Sequence, residues 1–285
     1  MTETDGLEID VERIVRSRAG RWGKLVPGCV VGWLRRLLHE DFCNEYLRRG
    51  REGVDFCHGG VDYLGATVKV VGRENFPHDG RCYTFVSNHP LGALDGVTLG
   101  WIIGEEYGGK VKYLVNDLLM NLKGLAPLCV PINKLGSQAR NLPAMVESAF
   151  GGDDHVILFP AGLCSRRQQD GQIRDVEWGK TFVTKSVKHG RDVVPIFFEG
   201  RNSERFYRVA YWCKRLRLPN LAMMLLPDEM MHCRGQEYAV HIGKPIPWQT
   251  FDRSRTPVQW AQWVKGKVYE MDEPNDNDNE NDNVK

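Results

Sequence analysis

A histidine and an aspartate stand six positions apart in the stretch "SNHPLGALDG", directly after the apolar run "CYTFV". His89 belongs to the residue type that can take a proton from a hydroxyl group near neutral pH. Asp95 could fix the tautomer of that imidazole and stabilise the imidazolium that forms. Because no GxSxG motif occurs in the chain, we expect the proton to come from the hydroxyl of a substrate and not from a serine nucleophile.

Each of the two residues also has a purely structural interpretation. Asp95 stands just before the apolar segment "VTLGWII", where a carboxylate could cap the N-terminus of a helix and interact favourably with its dipole. His89 could simply hydrogen-bond the tight turn that Gly92 and Gly96 permit. This stretch alone leaves both interpretations open.

Short strands and amphipathic helices are the elements that must position this pair. Seven apolar runs between residues 65 and 250 are typical of strands: "TVKVVG", "CYTFVSN", "VKYLVN", "LCVPIN", "HVILFP", "VVPIFFE" and "YAVHIG". Helix-like segments such as "QARNLPAMVESAFG" and "EWGKTFVTKSVKHG" lie between several of them. This alternation predicts an α/β fold with a largely parallel sheet flanked by helices. Sites in such sheets form beyond the carboxyl ends of the strands, where His89 would lie.

Three later blocks also place polar or basic residues at the end of a predicted strand. They are "LCVPINK" at 128–134, "LFPAGLCSRR" at 158–167 and "VVPIFFEGRNS" at 193–203. With the first block they supply four strand ends, which could surround one cleft. The chemistry of the His–Asp pair would then take place among basic side chains.

These four blocks, in this order and spacing, resemble the motifs of glycerolipid acyltransferases of the lysophosphatidic acid acyltransferase type. That family has NHxxxxD as its first motif, a Pro-Val-Asp-Arg-like second, a Phe-Pro-Glu-Gly-Thr third and a Val-Pro-Ile-like fourth. The closing "HIGKPI" is similar to the family's terminal strand. The resemblance covers about residues 65–250 and is strongest to a divergent branch, the lyso-amino-acid-lipid O-acyltransferases.

The resemblance implies a role for each matching residue. His89 would be the general base and Asp95 its orienting carboxylate. The substrate-binding residues that it implies are Asn133, Lys134, Gly162, Ser165, Arg166 and Arg167. The residues that it implies for the acyl-donor site are Pro160, Val194, Pro195 and Ile196. It implies no cofactor and no metal ion.

The chain departs from the family pattern at several positions. Five residues separate His89 from Asp95, where the family has four. Ala161 replaces the acid of the third motif, and Leu163-Cys164 replaces Thr-Arg. Arg166 and Arg167 could restore positive charge, because guanidinium groups suit phosphate and carboxylate anions; alternatively, both are ordinary surface arginines.

We therefore expect an O-acyltransferase that moves a fatty acyl group from acyl-CoA or acyl carrier protein to the hydroxyl of a lysophospholipid, the 1-acylglycerol-3-phosphate type. Lys134 is a compact point charge that binds a carboxylate as readily as a phosphate. One alternative acceptor is therefore an N-(3-hydroxyacyl) amino acid, a lyso-glycine or lyso-ornithine lipid. A second alternative is a non-catalytic, membrane-associated lipid-binding protein.

Composition divides the chain into three zones. We expect residues 1–64 to form an N-terminal basic amphipathic helical region, whose positive charge comes from residues 11–51 and in which Val30, Leu34, Leu38 and Phe42 recur every four positions. That helix either packs on the main domain or lies on an anionic membrane surface. Residues 65–271 would be the acyltransferase domain. The Asn-rich acidic residues 272–285 predict a disordered tail.

Charge and hydropathy limit the location and the partners. The longest stretch free of charged side chains has 13 residues, from Cys82 to Leu94, too short to span a bilayer. No secretory signal is visible and the eight cysteines are unpaired in spacing, so we expect a cytoplasmic protein, peripheral on the inner membrane surface. The net charge of +1 argues against nucleic acid as a partner, although residues 201–217 are basic and aromatic. The apolar residues 218–227 predict either core packing or an acyl channel.

Overall fold

The structure is a computed structural model that describes residues 8–18, 20, 25–115, 122–131 and 142–272. The helices are α1 (Val11–Arg18), α2 (Gly28–Leu37), α3 (Glu40–Leu47), α4 (Gly53–Leu64), α5 (Leu94–Glu106), α6 (Leu142–Gly151), α7 (Thr181–His189), α8 (Glu204–Arg215), α9 (Leu226–His232) and α10 (Pro257–Tyr269). The strands are β1 (Thr67–Val71), β2 (Thr84–Ser87), β3 (Val111–Val115), β4 (Cys129–Pro131), β5 (His155–Leu158), β6 (Arg166–Arg167), β7 (Ile173–Arg174), β8 (Val193–Phe198) and β9 (Glu237–Ile242).

Within these described ranges, seven strands form one sheet in the order β1-β9-β8-β2-β5-β3-β4, and β6 pairs with β7 in a separate hairpin. Every neighbouring pair in the large sheet is parallel except β8 and β9. The seven apolar runs supply these seven strands, so the predicted α/β fold with a largely parallel sheet is confirmed. Parallel strands carry helices on both faces, which explains why β2, β5 and β8 are buried along their full length and mainly apolar, apart from Thr84, Ser87 and His155.

Helices cover both faces of the sheet and enclose two apolar clusters. One cluster includes Phe56 of α4 and Leu99 of α5, packed against one face. The other includes Phe182 of α7 and Val264 of α10, packed against the opposite face. A third, smaller cluster surrounds Phe206 of α8. The sheet is therefore packed between two layers of helices, which fixes the positions of the turns at its carboxyl edge.

The N-terminal basic region folds onto the main domain. The apolar repeat with a period of four residues does not form one continuous helix. It is interrupted between α2 and α3 at His39, which has a left-handed φ of 49°. The His39 Nε2 atom lies 2.9 Å from a carboxylate oxygen of Asp228. Tyr46 and Leu47 of α3 belong to the first apolar cluster. The packed alternative is thus observed for this region, while the side chains of Val30 and Trp33 on α2 stay exposed.

The expectations on membrane-spanning segments, on the tail and on Asn133 and Lys134 can be compared only with the described residues. No helix within the described ranges has both the length and the apolar character needed to cross a bilayer. Residues 273–285 of the acidic tail lie outside those ranges, as do Asn133 and Lys134.

Candidate active site

His89 lies in the turn that follows β2, the strand between β8 and β5 at the centre of the sheet. Because these three neighbouring strands are parallel, their carboxyl ends lie at one edge. Asn88 anchors the turn: its Nδ2 atom donates to the Phe198 carbonyl at 2.9 Å, and its Oδ1 atom accepts from the Phe198 N–H at 2.7 Å. Gly92 has φ +82° and lies so close to Cys164 and Leu226 that any Cβ would clash with both. Glycine is therefore required there.

His89 and Asp95 are in direct contact despite the extra residue between them. The His89 Nδ1 atom lies 3.0 Å from Asp95 Oδ2. The same Oδ2 atom accepts hydrogen bonds from the N–H groups of Leu91 and Gly92, at 3.0 and 3.1 Å. Asp95 stands in the first turn of α5 and its side chain is fully buried. One carboxylate thus holds both the imidazole and the turn, so the structural and functional interpretations of Asp95 are compatible.

The other ring nitrogen of His89 is available for chemistry. The His89 side chain retains 16% of its exposed surface, and no hydrogen bond to Nε2 occurs among the described residues. The Phe159 ring stacks on the imidazole, with the two centroids 4.1 Å apart. The ring is therefore fixed by a carboxylate on one nitrogen and an aromatic face, with Nε2 left to accept a proton.

The electrostatics of the pair favour a charged dyad. Burial alone would lower the pKa of His89, but the charge and the hydrogen bond of Asp95 outweigh burial, with a further contribution from Asp175, so this pKa lies above its ordinary value. Burial alone would raise the pKa of Asp95, but His89 and the Leu91 and Gly92 N–H groups lower it below its ordinary value. Asp95 is therefore ionised and stabilises the imidazolium that a proton transfer would create.

Asp175 is a second buried carboxylate at this turn, and the sequence analysis missed it. Its Oδ1 atom accepts from the His89 N–H at 3.2 Å and from the Ser165 hydroxyl at 2.6 Å. Its Oδ2 atom accepts from Trp178 Nε1 at 2.8 Å. In the sequence Asp175 stands in "QIRDVEWGK" close to a second acid, Glu177, and no local pattern signals which of the two the fold buries. Burial raises the pKa of Asp175, against the two side-chain hydrogen bonds.

The third block contacts His89 through some of its predicted residues but not all. The Ser165 N–H donates to the His89 carbonyl at 2.8 Å, and the Ser165 hydroxyl points at Asp175. Arg166 donates to the Cys164 carbonyl at 2.8 Å and lies over the Phe206 ring. Arg167 is exposed and forms a two-pronged pair with Glu204, at 2.6 and 2.7 Å. Among the predicted substrate-binding residues of this block, Ser165 is therefore the one bonded directly to the His89 turn.

The remaining predicted residues lie beside the turn or within the sheet. Gly162 is exposed with φ +66°, and the Pro160 carbonyl accepts from the Gly179 N–H at 2.9 Å. Val194 and Ile196 are fully buried in β8 and belong to the first apolar cluster. Pro195 pairs in register with Val86 of β2. Their assignment to an acyl-donor site stays a prediction, and their observed contacts are those of sheet packing.

A cavity of about 370 Å³ opens next to the His89 turn. Gly200 in its wall lies against Leu91, and the Tyr269 hydroxyl in its wall accepts from the Asp175 N–H at 2.8 Å. The full lining comprises Arg167, Gly171, Gln172, Ile173, Arg174, Gly200, Arg201, Tyr269 and Asp272. Two arginines of the β6–β7 hairpin and Arg201 thus line a space in which guanidinium groups could bind an anionic group. Two of them, Arg174 and Arg201, were not among the predicted site residues.

This chain matches a family model and is similar to several known proteins. A family model described as "Acyltransferase" matches residues 13–277. Two proteins named lyso-glycine lipid O-acyltransferase, from Phocaeicola vulgatus and Bacteroides thetaiotaomicron, are each 54% identical to this chain over 274 residues. These alignments cover 95% of this chain and 98% and 100% of the two relatives. A crystal structure of the 1-acyl-sn-glycerophosphate acyltransferase from Thermotoga maritima aligns with a TM-score of 0.48 and 16% identity, covering 92% of this chain and 96% of that one.

Proposed function

Because this chain belongs to the acyltransferase family, we propose that it transfers a fatty acyl group to the hydroxyl of a lyso-glycine lipid, an N-(3-hydroxyacyl)glycine. The observation that carries this proposal is the 54% identity, over 95% of the chain, to two proteins named for that acceptor. The sequence analysis preferred a lysophosphatidic acceptor and kept the amino-acid lipid as its alternative. The relatives favour the alternative.

The site supports a general-base mechanism for this transfer. The acceptor hydroxyl would bind at His89 Nε2, which takes its proton while the hydroxyl oxygen attacks the thioester carbonyl carbon of the donor. A carbon–oxygen bond forms, and the carbon–sulfur bond breaks as the tetrahedral intermediate collapses. The leaving thiolate then takes the proton back from Nε2, so the imidazole ends neutral. Asp95 holds Nδ1 throughout and stabilises the imidazolium.

We assign the donor as acyl-CoA or acyl carrier protein, because the attack described requires an activated acyl group. Either thioester would leave a thiol that the cytoplasm recycles. Pro160, Val194, Pro195 and Ile196 remain the predicted donor-site residues. The last three pack within the sheet, and the Pro160 carbonyl accepts from the Gly179 N–H.

The arginine-lined cavity is the proposed site for the head group. Arg167 and Arg201 share Glu204, which lies 2.5 Å from Arg201. The lining has three arginines and one acid, Asp272, and Glu204 outside the lining pairs with two of the arginines, so the group carries one net positive charge. That charge matches a single glycine carboxylate better than a phosphate monoester, which carries about two negative charges near neutral pH. Lys134, Asn133 and Arg166 remain further proposed contacts of the head group.

The acceptor is an amphiphile, so we also propose that the protein acts peripherally on the anionic inner surface of the membrane. The acyl chain of the acceptor would remain in the bilayer while the hydroxyl of the acceptor reaches His89. The basic character of residues 11–51 supports this location.

Purified full-length protein tests the acceptor directly. It would receive an acyl donor together with N-(3-hydroxyacyl)glycine, the matching lyso-ornithine lipid or 1-acylglycerol-3-phosphate, with acyl chains of equal length. Products would be separated by mass. Acylation of the glycine lipid with the highest kcat/KM is the expected result. Phosphatidic acid as the sole or dominant product would overturn the proposed acceptor, and no product from any acceptor would favour the lipid-binding alternative.

A further inference from the structure

An apolar surface extends from α8 into the 3₁₀ helix Leu221–Leu225. Thirteen large apolar side chains are exposed among the described residues, and seven of them lie between positions 211 and 224. These seven are Tyr211, Trp212, Leu216, Leu218, Leu221, Met223 and Met224. We name them the α8 face. Core packing, the favoured expectation for residues 218–227, holds for Ala222 and Leu225 but not for their exposed neighbours.

The fold itself turns these side chains outward. The buried residues of α8 are Phe206, Tyr207, Ala210 and Cys213, so the opposite face of the helix carries Arg208, Tyr211, Trp212 and Arg215. The helix ends in a turn in which the Leu218 N–H donates to the Cys213 carbonyl at 2.9 Å. Arg217 occupies the left-handed position of that turn, with φ 53°, where glycine is usual. The turn leaves Leu216 and Leu218 both exposed.

Positive charge accompanies the exposed apolar side chains. Residues 201–217 carry six Lys or Arg and one Glu, in a chain whose net charge is only +1. Arg208, Lys214, Arg215 and Arg217 are exposed, and none has an ion-pair partner within the part of the chain that the structure describes. Tryptophan and tyrosine are enriched where a bilayer meets water, and arginines beside them are attracted to anionic lipids. A nucleic acid would use the charge but not the exposed leucines and methionines.

We propose that the α8 face docks the protein onto an anionic lipid bilayer, with α8 lying along the interface and Leu216, Leu218 and Met223 inserted among the acyl chains. The partner is the lipid surface itself. This docking does not depend on the identity of the acceptor.

The residues that flank the α8 face contact the His89 turn. Asn202, just before α8, donates to the Pro90 carbonyl at 3.2 Å. Leu226, just after the 3₁₀ helix, lies against Gly92. Docking through this face would therefore hold the His89 turn close to the membrane from which the acceptor comes, a consequence that rests on the proposed function.

Vesicle sedimentation of the full-length protein tests the docking. Phosphatidylglycerol vesicles would be compared with phosphatidylcholine vesicles, for the wild type and for the double variant Trp212→Ser/Leu216→Ser. We expect the double variant to lose about tenfold or more in affinity for phosphatidylglycerol, since each buried side chain contributes about 1.5–3 kcal/mol and tenfold is about 1.4 kcal/mol. The control, Val258→Ser in α10, removes an exposed apolar side chain that belongs neither to the α8 face nor to the basic residues 11–51 and should bind like the wild type.

Arg217→Gly separates docking from folding. Glycine suits the left-handed turn, so this variant should keep or raise the melting temperature while weakening phosphatidylglycerol binding about fivefold, because each basic residue near the surface contributes about 1 kcal/mol. Unchanged binding by both α8 variants, or tighter binding of an oligonucleotide than of vesicles, would overturn the proposal. Turnover of acceptor in detergent micelles should be unchanged in the α8 variants, so a failure of the proposed acceptor would be seen separately.

A second inference comes independently from the hydrogen bonds of Asp175. We infer that Asp175 is a positioning residue that fixes the backbone of His89 and ties the third block to the His–Asp turn. Its carboxylate receives the His89 N–H, the Ser165 hydroxyl and the Trp178 indole, and its own carbonyl accepts from Lys265 Nζ at 2.6 Å. A base must be held within a fraction of an ångström of its productive position. A carboxylate with three donors can do this through the backbone N–H of His89, while Asp95 holds the ring.

Asp175→Asn tests this inference through kcat, KM and the pH profile. The charged groups that act on the pKa of His89 are Asp95 and Asp175, which raise it, and Arg166, which lowers it. Removing one of the two carboxylates should lower kcat about tenfold or more with KM nearly unchanged, and should move the acid limb of kcat to lower pH. Ser165→Ala keeps the charge and removes one donor, so it should lower kcat several-fold without moving that limb. A folded Asn variant with wild-type kcat and an unmoved limb would overturn the inference, as would unchanged kcat in Ser165→Ala if the Asn variant fails to fold.

Discussion

Replacing Asp95 by asparagine perturbs the His–Asp pair with the smallest change of shape. The amide oxygen can take the place of Oδ2 and still accept from His89 Nδ1, Leu91 and Gly92. The amide nitrogen then faces the Gly96 N–H, which donates to Oδ1 at 2.9 Å in the wild type. The substitution therefore removes the negative charge and one backbone hydrogen bond, while the tautomer of His89 is retained.

The expected loss of rate follows from the charge. Two unit charges about 4 Å apart attract by about 4 kcal/mol at an effective dielectric constant of about 20. The Nδ1–Oδ2 distance is 3.0 Å, so the His89–Asp95 pair attracts at least this strongly. About 1.4 kcal/mol corresponds to tenfold in rate, so losing the full attraction would slow transfer by about 10³-fold. The neutral hydrogen bond that remains returns about 1 kcal/mol. We therefore expect kcat to fall by about 10²- to 10³-fold.

The pH profile supplies a second, independent readout. A general base must be neutral, so kcat rises with pH through the pKa of His89, which lies above its ordinary value in the wild type because Asp95 outweighs burial. In the asparagine variant burial remains and the charge is gone, so the pKa falls and the acid limb moves to lower pH.

The assay is steady-state transfer with donor saturating, from about pH 5 to 9, alongside thermal unfolding of each variant. Asp55→Asn is the matched control, because Asp55 also stands in the first turn of a helix, α4, but is exposed, and its ion-pair partner among the described residues is Arg51. It should transfer at the wild-type rate. A folded Asp95→Asn protein with unchanged kcat and an unmoved acid limb would refute the dyad and leave Asp95 as a structural anchor of the turn.

Three further predictions concern the same site. His89→Ala should fold normally and lower transfer by about 10²- to 10⁴-fold, as for loss of a general base; more than a tenth of wild-type turnover would contradict the assignment. Arg174→Ala should raise KM for the glycine lipid about tenfold with kcat nearly unchanged, because it removes one charge from the cavity; an unchanged KM would place the head group elsewhere. Gly92→Ala should lower the free energy of unfolding by about 1–3 kcal/mol or more, through backbone strain and the clash with Cys164. Gly162→Ala, with a similar φ but open space around it, should cost less in chemical denaturation, and equal costs would show that the clash is absent.

Sequence patterns predicted the fold and indicated the His89 turn as a candidate site because both depend on local signals. Fully buried parallel strands are mainly apolar, so β2, β5 and β8 were visible as apolar runs. His89 follows one of them, and the four motifs correctly predicted the acyltransferase family. The His–Asp contact in a five-residue spacing needed the structure, since it depends on how Gly92 turns the chain.

Other features depend on contacts between distant segments and left no local signal. The helix is interrupted at His39, whose ring contacts Asp228 of α9, although the apolar repeat continues through this position. Asp175 is buried by neighbours such as Trp178 and α10, which no pattern around it announces. Residues 218–224 looked like core because hydropathy cannot tell which apolar face finds a partner in the fold. The acceptor was unresolved because the motifs are shared by enzymes that act on different hydroxyls.

The most direct test of the central claim is the lipid profile of a glycine-lipid-producing bacterium that lacks this protein and is complemented with the wild type or with His89→Ala. The account predicts that N-(3-hydroxyacyl)glycine accumulates and its O-acylated product disappears in the deletion strain. The wild-type chain should restore the product and His89→Ala should not. An unchanged glycine-lipid profile, loss of phosphatidic-acid-derived lipids instead, or full restoration by His89→Ala would contradict it.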